Sequence, residues 1–270
     1  MTALIRSSKA WRVLTAAAVK AELEHRANFL VSIIGGLFYQ GMGLAFIWVV
    51  LSRFSSLGGW TLPEVAFLHG LRTSAHGLYV VSFGRVSTSD QLLREGEFDR
   101  FLTRPVGVLI QIVTYRASIM PIGDLLFGLS IVFIAANSLS IEWTLSKIAL
   151  AAAAIVGGAL VELGLQLVVS GLAMRTLSTR SLVLVIESLF SSFGKYPMKV
   201  FDVPVRFFLT FILPLAFIAY FPASVILGRS SELDVPGWIA ACSPIVGMII
   251  AFSAYVFWRL QLRHYSSVGS

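Results

Sequence analysis

Arg94-Glu95-Gly96-Glu97-Phe98-Asp99-Arg100-Phe101-Leu102-Thr103-Arg104-Pro105 is a compact charged stretch set between two apolar runs long enough to cross a membrane. Charge is too costly to hold in hydrocarbon, so this segment must lie outside a bilayer that its neighbours enter. Around it, the acids Asp90, Glu95, Glu97 and Asp99 alternate with the bases Arg85, Arg94, Arg100 and Arg104. Charge balanced in this way suits register-specific docking to a protein better than attraction to anionic lipid. Phe98, Phe101 and Leu102 fall at i, i+3 and i+4, one face of a short helix, and Pro105 ends that helix before the next apolar run. The bland alternative is a solvated turn whose charges meet nothing.

The rest of the chain agrees with a membrane setting. Of 270 residues, 57% are hydrophobic and 13% are charged, and the mean hydropathy is +0.83. Soluble domains carry about 25% charged residues, so little of this chain is available for a separate soluble domain. The net charge of +7 resides in basic loops between apolar runs, which argues for cytoplasmic loops and against nucleic acid as a partner. Cys242 is the single cysteine, which excludes an intrachain disulfide and any multi-cysteine metal site. The first long apolar run begins near Phe29 after a charged lead, so no cleavable signal is expected.

The expected fold is all-α, a polytopic integral membrane protein of about six transmembrane helices. Residues 1–28 form a cytoplasmic amphipathic lead. Within it, 4–27 set Leu4, Ile5, Trp11, Val13, Leu14, Val19 and Leu23 against Arg6, Lys9, Arg12, Lys20 and Arg26, as in a helix lying at a membrane surface. Residues 29–260 form one transmembrane domain and 261–270 a cytoplasmic tail. The expected spans are 29–51, 62–83, 106–136 kinked at Pro121, 145–174, 205–228 and 238–258. The first is about 34 Å long as a helix, enough to cross. Ser32, Gly35, Gly36, Gly41 and Gly43 in the first span, and Ala149, Ala153 and Gly157 in the fourth, make thin faces for close helix approach.

The stretch 181–228 admits two topologies. Two full spans there would put the chain ends on opposite sides, yet both ends are basic. An even number of crossings is therefore expected, with 182–202 interfacial or partly inserted. Pro214 and Pro222 break the outer half of 205–228, which is expected to fold back as a re-entrant piece. On this map the outer side holds only Arg53, Lys147 and Arg229, so both termini and the 85–105 segment face the cytoplasm.

The sequence lacks GxxxxGK[ST], GxSxG and HExxH, so no nucleotide-binding or hydrolytic motif is present and no enzyme is expected. His69 and His76 share a helix face but are about 10 Å apart along its axis, too far for one metal ion by themselves. Ionisable residues deep in spans are Arg72, Arg116, Asp124 and Glu162, with Glu187 in the ambiguous stretch. They read either as a polar path or proton site, or as interhelical pairing of Arg72 or Arg116 with Glu162.

Gly96, Asp99, Leu102, Arg104 and Pro105 reproduce a GxxDxxLxRP pattern. Together with Tyr196-Pro197, Phe201 and the run from Leu213 to Ala223, they resemble the ABC-2 type permeases, the membrane subunits of ATP-binding-cassette exporters. The resemblance covers nearly the whole chain. It implies a short coupling helix between spans 2 and 3, docked on a partner ATPase through Glu95, Gly96, Glu97, Phe98, Asp99, Arg100, Phe101, Leu102, Arg104 and Pro105, with Phe98, Phe101 and Leu102 as apolar anchors. It implies two ATPase copies, which hold ATP and magnesium, and a second permease chain, identical or homologous, in a cytoplasmic membrane. This chain itself would hold no cofactor. The implied activity is export, with antibiotics, other amphiphilic small molecules, lipids and polysaccharides among the family's cargoes. The apolar spans suit an amphiphilic drug, antibiotic or lipid-like molecule. Candidate path residues are Tyr39, Gln40, Gly43, Pro214 and Tyr220. The competing reading is a self-contained proton-coupled carrier using Arg72, Arg116, Asp124 and Glu162.

Overall fold

The computed structural model describes residues 20, 26–54, 56–115, 121–176 and 178–265. The amphipathic helix expected over 4–27 falls almost wholly outside these residues, and Arg116 and the end of the tail fall outside them too. The described residues are helical, with one isolated bridge between Leu57 and Trp60. We number the α-helices α1 (Arg26–Arg53), α2 (Leu62–Phe83), α3 (Ser89–Arg94), α4 (Asp99–Leu102), α5 (Val108–Thr114) and α6 (Ile122–Ser138). The second half contains α7 (Leu145–Thr176), α8 (Arg180–Phe193), α9 (Val203–Phe207), α10 (Tyr220–Ile226), α11 (Gly237–Ala241) and α12 (Ser243–Gln261).

Among the described residues, three helical stretches are long and apolar enough to cross a membrane, Ile33–Arg53, Leu145–Thr176 and Ser243–His264. A fourth crossing is reached if Val203–Ile212 and Leu215–Ile226, bent by 70° at their junction, are one broken span. The protein is thus an all-α membrane protein, and length and composition carry three or four crossings. At 22 residues α2 is about 33 Å long, enough to cross, but it is richer in polar groups. The helix expected over 106–136 is two pieces. Val106 lies in a turn, α5 ends at Thr114, and α6 begins after Pro121 and has 17 residues. Pro121 stands immediately before the first residue of α6, where its missing N–H costs nothing.

The 70° bend lies at Leu213-Pro214. Pro222, expected to break the helix as well, sits in the first turn of α10, where a missing N–H costs nothing. At its other end α2 is fixed by the Glu64 carboxylate, which accepts the Thr61 N–H and hydroxyl at 2.8 Å each.

Why α2 tolerates polar residues follows from its place. From Phe67 to Ala75 every residue is buried. It is packed so closely on α6 that a Cβ at Gly77 would lie 2.4 Å from the Leu125 backbone nitrogen, and one at Gly128 2.5 Å from that of Ser74. A second glycine seam joins α7 to α12, where a Cβ at Gly247 would lie 2.2 Å from the Gly157 carbonyl oxygen. Small residues let backbones meet, and dispersion does the rest where lipid offers no hydrophobic drive between helices. One apolar cluster gathers Trp60, Phe67, Leu71, Tyr220 and Phe221. A second, with Tyr79, Leu93, Phe98, Phe101, Leu167 and Trp258, lies beneath the charged segment.

Candidate functional site

The charged segment is a folded element, not a solvated turn. After α2 the chain makes a short 3-10 turn, then α3, then reverses at Gly96, whose φ of +70° suits glycine. It is fastened to the ends of three other elements. The Ser89 hydroxyl lies 2.7 Å from that of Ser170 on α7, which also accepts the Trp258 indole N–H from α12 at 2.9 Å. Gln111 of α5 donates to the Phe101 and Val106 carbonyls at 2.8 and 2.7 Å. The Tyr115 hydroxyl donates to the Glu97 carboxylate, and that of Tyr265 to Asp99 at 2.8 Å. Burial, then the bond to Asp99, pushes the Tyr265 phenol up to about 12.

These contacts sort the expected docking residues. Phe98 and Phe101 are 0% and 4% exposed. They point inward, Phe98 against the Tyr265 ring at 4.9 Å and Phe101 against the Tyr115 ring at 5.4 Å. They therefore hold the segment to its own chain and do not stand out as anchors. The i, i+3 spacing marked an apolar face correctly but could not say which protein it faces. Glu97 and Asp99 are half-buried and engaged by tyrosines, whereas Glu95, Arg100, Leu102, Arg104 and Pro105 are exposed. Nothing in residue spacing singles out Tyr115 or Tyr265, because both act across loops.

The second feature is a cavity of about 710 Å³ among α1, α2, α7 and α8. The expected path residues Tyr39, Gln40 and Gly43 line it, as do His69, Arg72, His76, Glu162, Gln166, Glu187 and Lys195. Pro214 and Tyr220 do not. Tyr220 is buried against Trp60, ring centroids 5.6 Å apart, and borders a separate hollow of about 230 Å³.

Inside the cavity the His76 Nδ1 lies 2.7 Å from Glu162 Oε2, and Arg72 Nη2 lies 3.7 Å from Glu162 Oε1. Glu162 is thus met from α2 by the Arg72 guanidinium and the His76 imidazole, partners of the kind that make a buried carboxylate tolerable. Asp124 of α6 takes no part: it accepts a hydrogen bond from Gln40 at 3.1 Å and ties α6 to α1. A Cβ at Gly36 would lie 3.4 Å from Asp124, an ordinary contact, and the closer approach is on α6, where a Cβ at Gly123 would lie 3.3 Å from the Ile33 Cα; the thin face expected on α1 is not what sets this crossing. Among the described residues no group of His, Cys, Asp and Glu is placed to hold a metal ion.

Residues 37–269 match the family described as ABC-2 family transporter protein. No curated protein and no solved structure matches the chain. With the helical, apolar build, the charged segment after α2 and a match that runs over most of its length, this chain belongs to the ABC-2 family of transporter proteins.

Proposed function

We propose that this membrane permease of ABC-type transport exports a small amphiphilic molecule across the cytoplasmic membrane, driven by ATP hydrolysis in separate ATPase subunits. In this reading α2 and the α5–α6 pair complete six crossings, with both termini and the charged segment cytoplasmic. The permease pairs with a second permease chain, identical or homologous, and two ATPase copies bind ATP and magnesium. The chain itself is not an enzyme.

The observation that carries the reading is the fastening of the charged segment. A docking element that transmits force must be fixed to the helices it moves, and Ser89, Gln111 and Tyr265 provide that fixing. Its outward residues Glu95, Arg100, Leu102, Arg104 and Pro105 form the proposed ATPase-binding face, with Gly96 turning the chain between them. Glu97, Phe98, Asp99 and Phe101 act from beneath as positioning residues.

The test is co-purification of the chain with a candidate ATPase subunit, followed by ATP turnover of the complex. Association and turnover that fall when Arg100 and Arg104 are both replaced by Glu support the reading. Association unaffected by that change rejects the docking face. Transport that survives ATP depletion but collapses with the proton gradient supports the carrier instead.

A further inference from the structure

The cations Arg72 and Lys195 line the cavity, with the imidazole of His69 between α1 and α2 as a further polar group. His69 is 4% exposed and Arg72 is 6% exposed, yet both ring nitrogens of His69 and the Nε of Arg72 have no hydrogen-bond partner among the described residues. Lys195 follows directly on Gly194, where a Cβ would lie 3.5 Å from Arg72 Nε, and Arg72 is the charged group that acts on Lys195. Lys195 has no carboxylate partner among the described residues; its ammonium lies 5.4 Å from the Tyr196 ring centroid. Burial, then Arg72, lowers the Lys195 pKa.

The acids Glu162 and Glu187 line the same cavity, with Arg72 standing in charge terms between Glu162, which it faces, and Lys195, whose charged neighbour it is. Glu162 is matched by His76 at 2.7 Å and faces Arg72 only at 3.7 Å, beyond hydrogen-bond reach. The charged neighbours of Glu187 are Arg180, His76 and Glu162, and burial raises its pKa. Buried donors without acceptors cost free energy, and two cations acting on each other cost more, unless an anion joins them. The wall of the cavity on α1 is of another kind. Met42 and Phe46 line it and are 65% and 56% exposed, so the cavity is continuous with an apolar outer surface. Its volume of about 710 Å³ is within the range that holds a small ligand.

We propose that His69, Arg72 and Lys195 bind the anionic headgroup, a phosphate or carboxylate, of an amphiphile whose apolar chain lies along Met42 and Phe46 of α1. The inference rests on the permease reading only in taking that amphiphile for cargo. Arg72 would bind the anion as a rigid fork and Lys195 as a mobile point charge.

The experiment measures binding of dodecyl phosphate and of dodecyltrimethylammonium to the full chain in neutral maltoside micelles, by calorimetry. The expected result is tighter binding of the phosphate, weakened about tenfold by Lys195→Gln, the loss of one charge-assisted hydrogen bond. Equal binding of the two amphiphiles, or a Lys195→Gln affinity equal to the parent's, overturns the proposal. Lys195 is chosen because Arg72→Gln would strand Glu162 and threaten the fold. Native mass spectrometry of the same preparations separates the sources. Phospholipid that co-purifies with the parent and is depleted in Lys195→Gln identifies a bilayer lipid. A lipid-free chain that still binds dodecyl phosphate identifies a diffusing amphiphile, and either upholds the site. Association with the ATPase, measured in parallel, distinguishes failure of this site from failure of the permease reading.

Discussion

The Tyr265 hydroxyl donates to Asp99 Oδ1 at 2.8 Å, joining the stretch just beyond α12 to the middle of the charged segment. Asp99 also occupies the acidic position of the GxxDxxLxRP pattern. The residue with which the chain resembles its family is therefore held from within, by a tyrosine 166 positions away.

Tyr265→Phe removes this bond while keeping the ring that packs on Phe98 at 4.9 Å. The expected loss is about 1 kcal/mol, local to the segment. Hydrogen exchange over residues 95–105 should rise while exchange in α7 stays unchanged. Uniform exchange rates in the two proteins would show that the hydroxyl holds nothing.

The same bond has a pH signature. The Tyr265 phenol is raised from 10.0 to about 12 by burial and then by Asp99. A raised acid binds its proton more tightly in the folded state, so its contribution is complete below the unfolded pKa and is lost as pH climbs through the folded one. The clamp should persist to about pH 10 and open between about 10 and 12. A rise in phenolate absorbance at high pH that the parent shows and Tyr265→Phe lacks will check this; a difference centred on the ordinary tyrosine value would contradict it.

Charge reversal should separate docking from folding. Arg100→Glu with Arg104→Glu alters exposed side chains and is expected to change stability by less than about 0.5 kcal/mol, while ATPase association falls. Glu97→Lys discards the acceptor of the Tyr115 hydroxyl, so it should lower the melting temperature even with no ATPase present. Equal stability of the two variants, measured by size exclusion after heating, would remove the distinction between outer and inner residues.

Buried pairing predicts non-additivity. Glu162→Leu leaves Arg72 without its carboxylate at 3.7 Å and is expected to cost about 3–5 kcal/mol. Adding Arg72→Met should recover part of that loss, a coupling that a double-mutant cycle reads directly. Strict additivity would mean that the two side chains do not sense each other.

The helix seams are tested at glycine. A Cβ at Gly77 would meet the Leu125 backbone nitrogen at 2.4 Å, whereas one at Gly41 meets nothing within 4 Å. Gly77→Ala should destabilise by about 1–3 kcal/mol. Gly41→Ala should be neutral or stabilising by up to about 1 kcal/mol, since alanine favours the helix. Equal thermal shifts for the two would argue against the close α2–α6 crossing.

Hydropathy and charge made the membrane setting legible, because it depends on which residues water must reach. Periodicity put Phe98, Phe101 and Leu102 on one face, but only the two phenylalanines turn inward and Leu102 is exposed. It could not show that Phe98 and Phe101 turn toward Tyr265 and Tyr115, since the partners lie in other loops. The cavity was partly legible. Gly43 and Gln40 stood out as small or polar residues in an apolar run, and Arg72 and Glu162 as misplaced charge. That His76, rather than Arg72, makes the short contact to Glu162 depends on how α2 rotates against α7, which glycine contacts decide. Pro121 and Pro222 were legible as interruptions, but whether a proline ends one helix or begins the next depends on the backbone before it.

α7 runs unbroken for 32 residues and contains no proline, which makes it about 48 Å long, well over the thickness of a hydrocarbon core. Ser170, where the charged segment is tied, and Glu162, in the cavity wall, lie on this one rod about 12 Å apart. A rod without a joint cannot absorb a push at one point and stay still at the other. A tilt imposed through Ser89 must therefore arrive at Glu162 as a change in the shape of the cavity, with α7 acting as a lever arm.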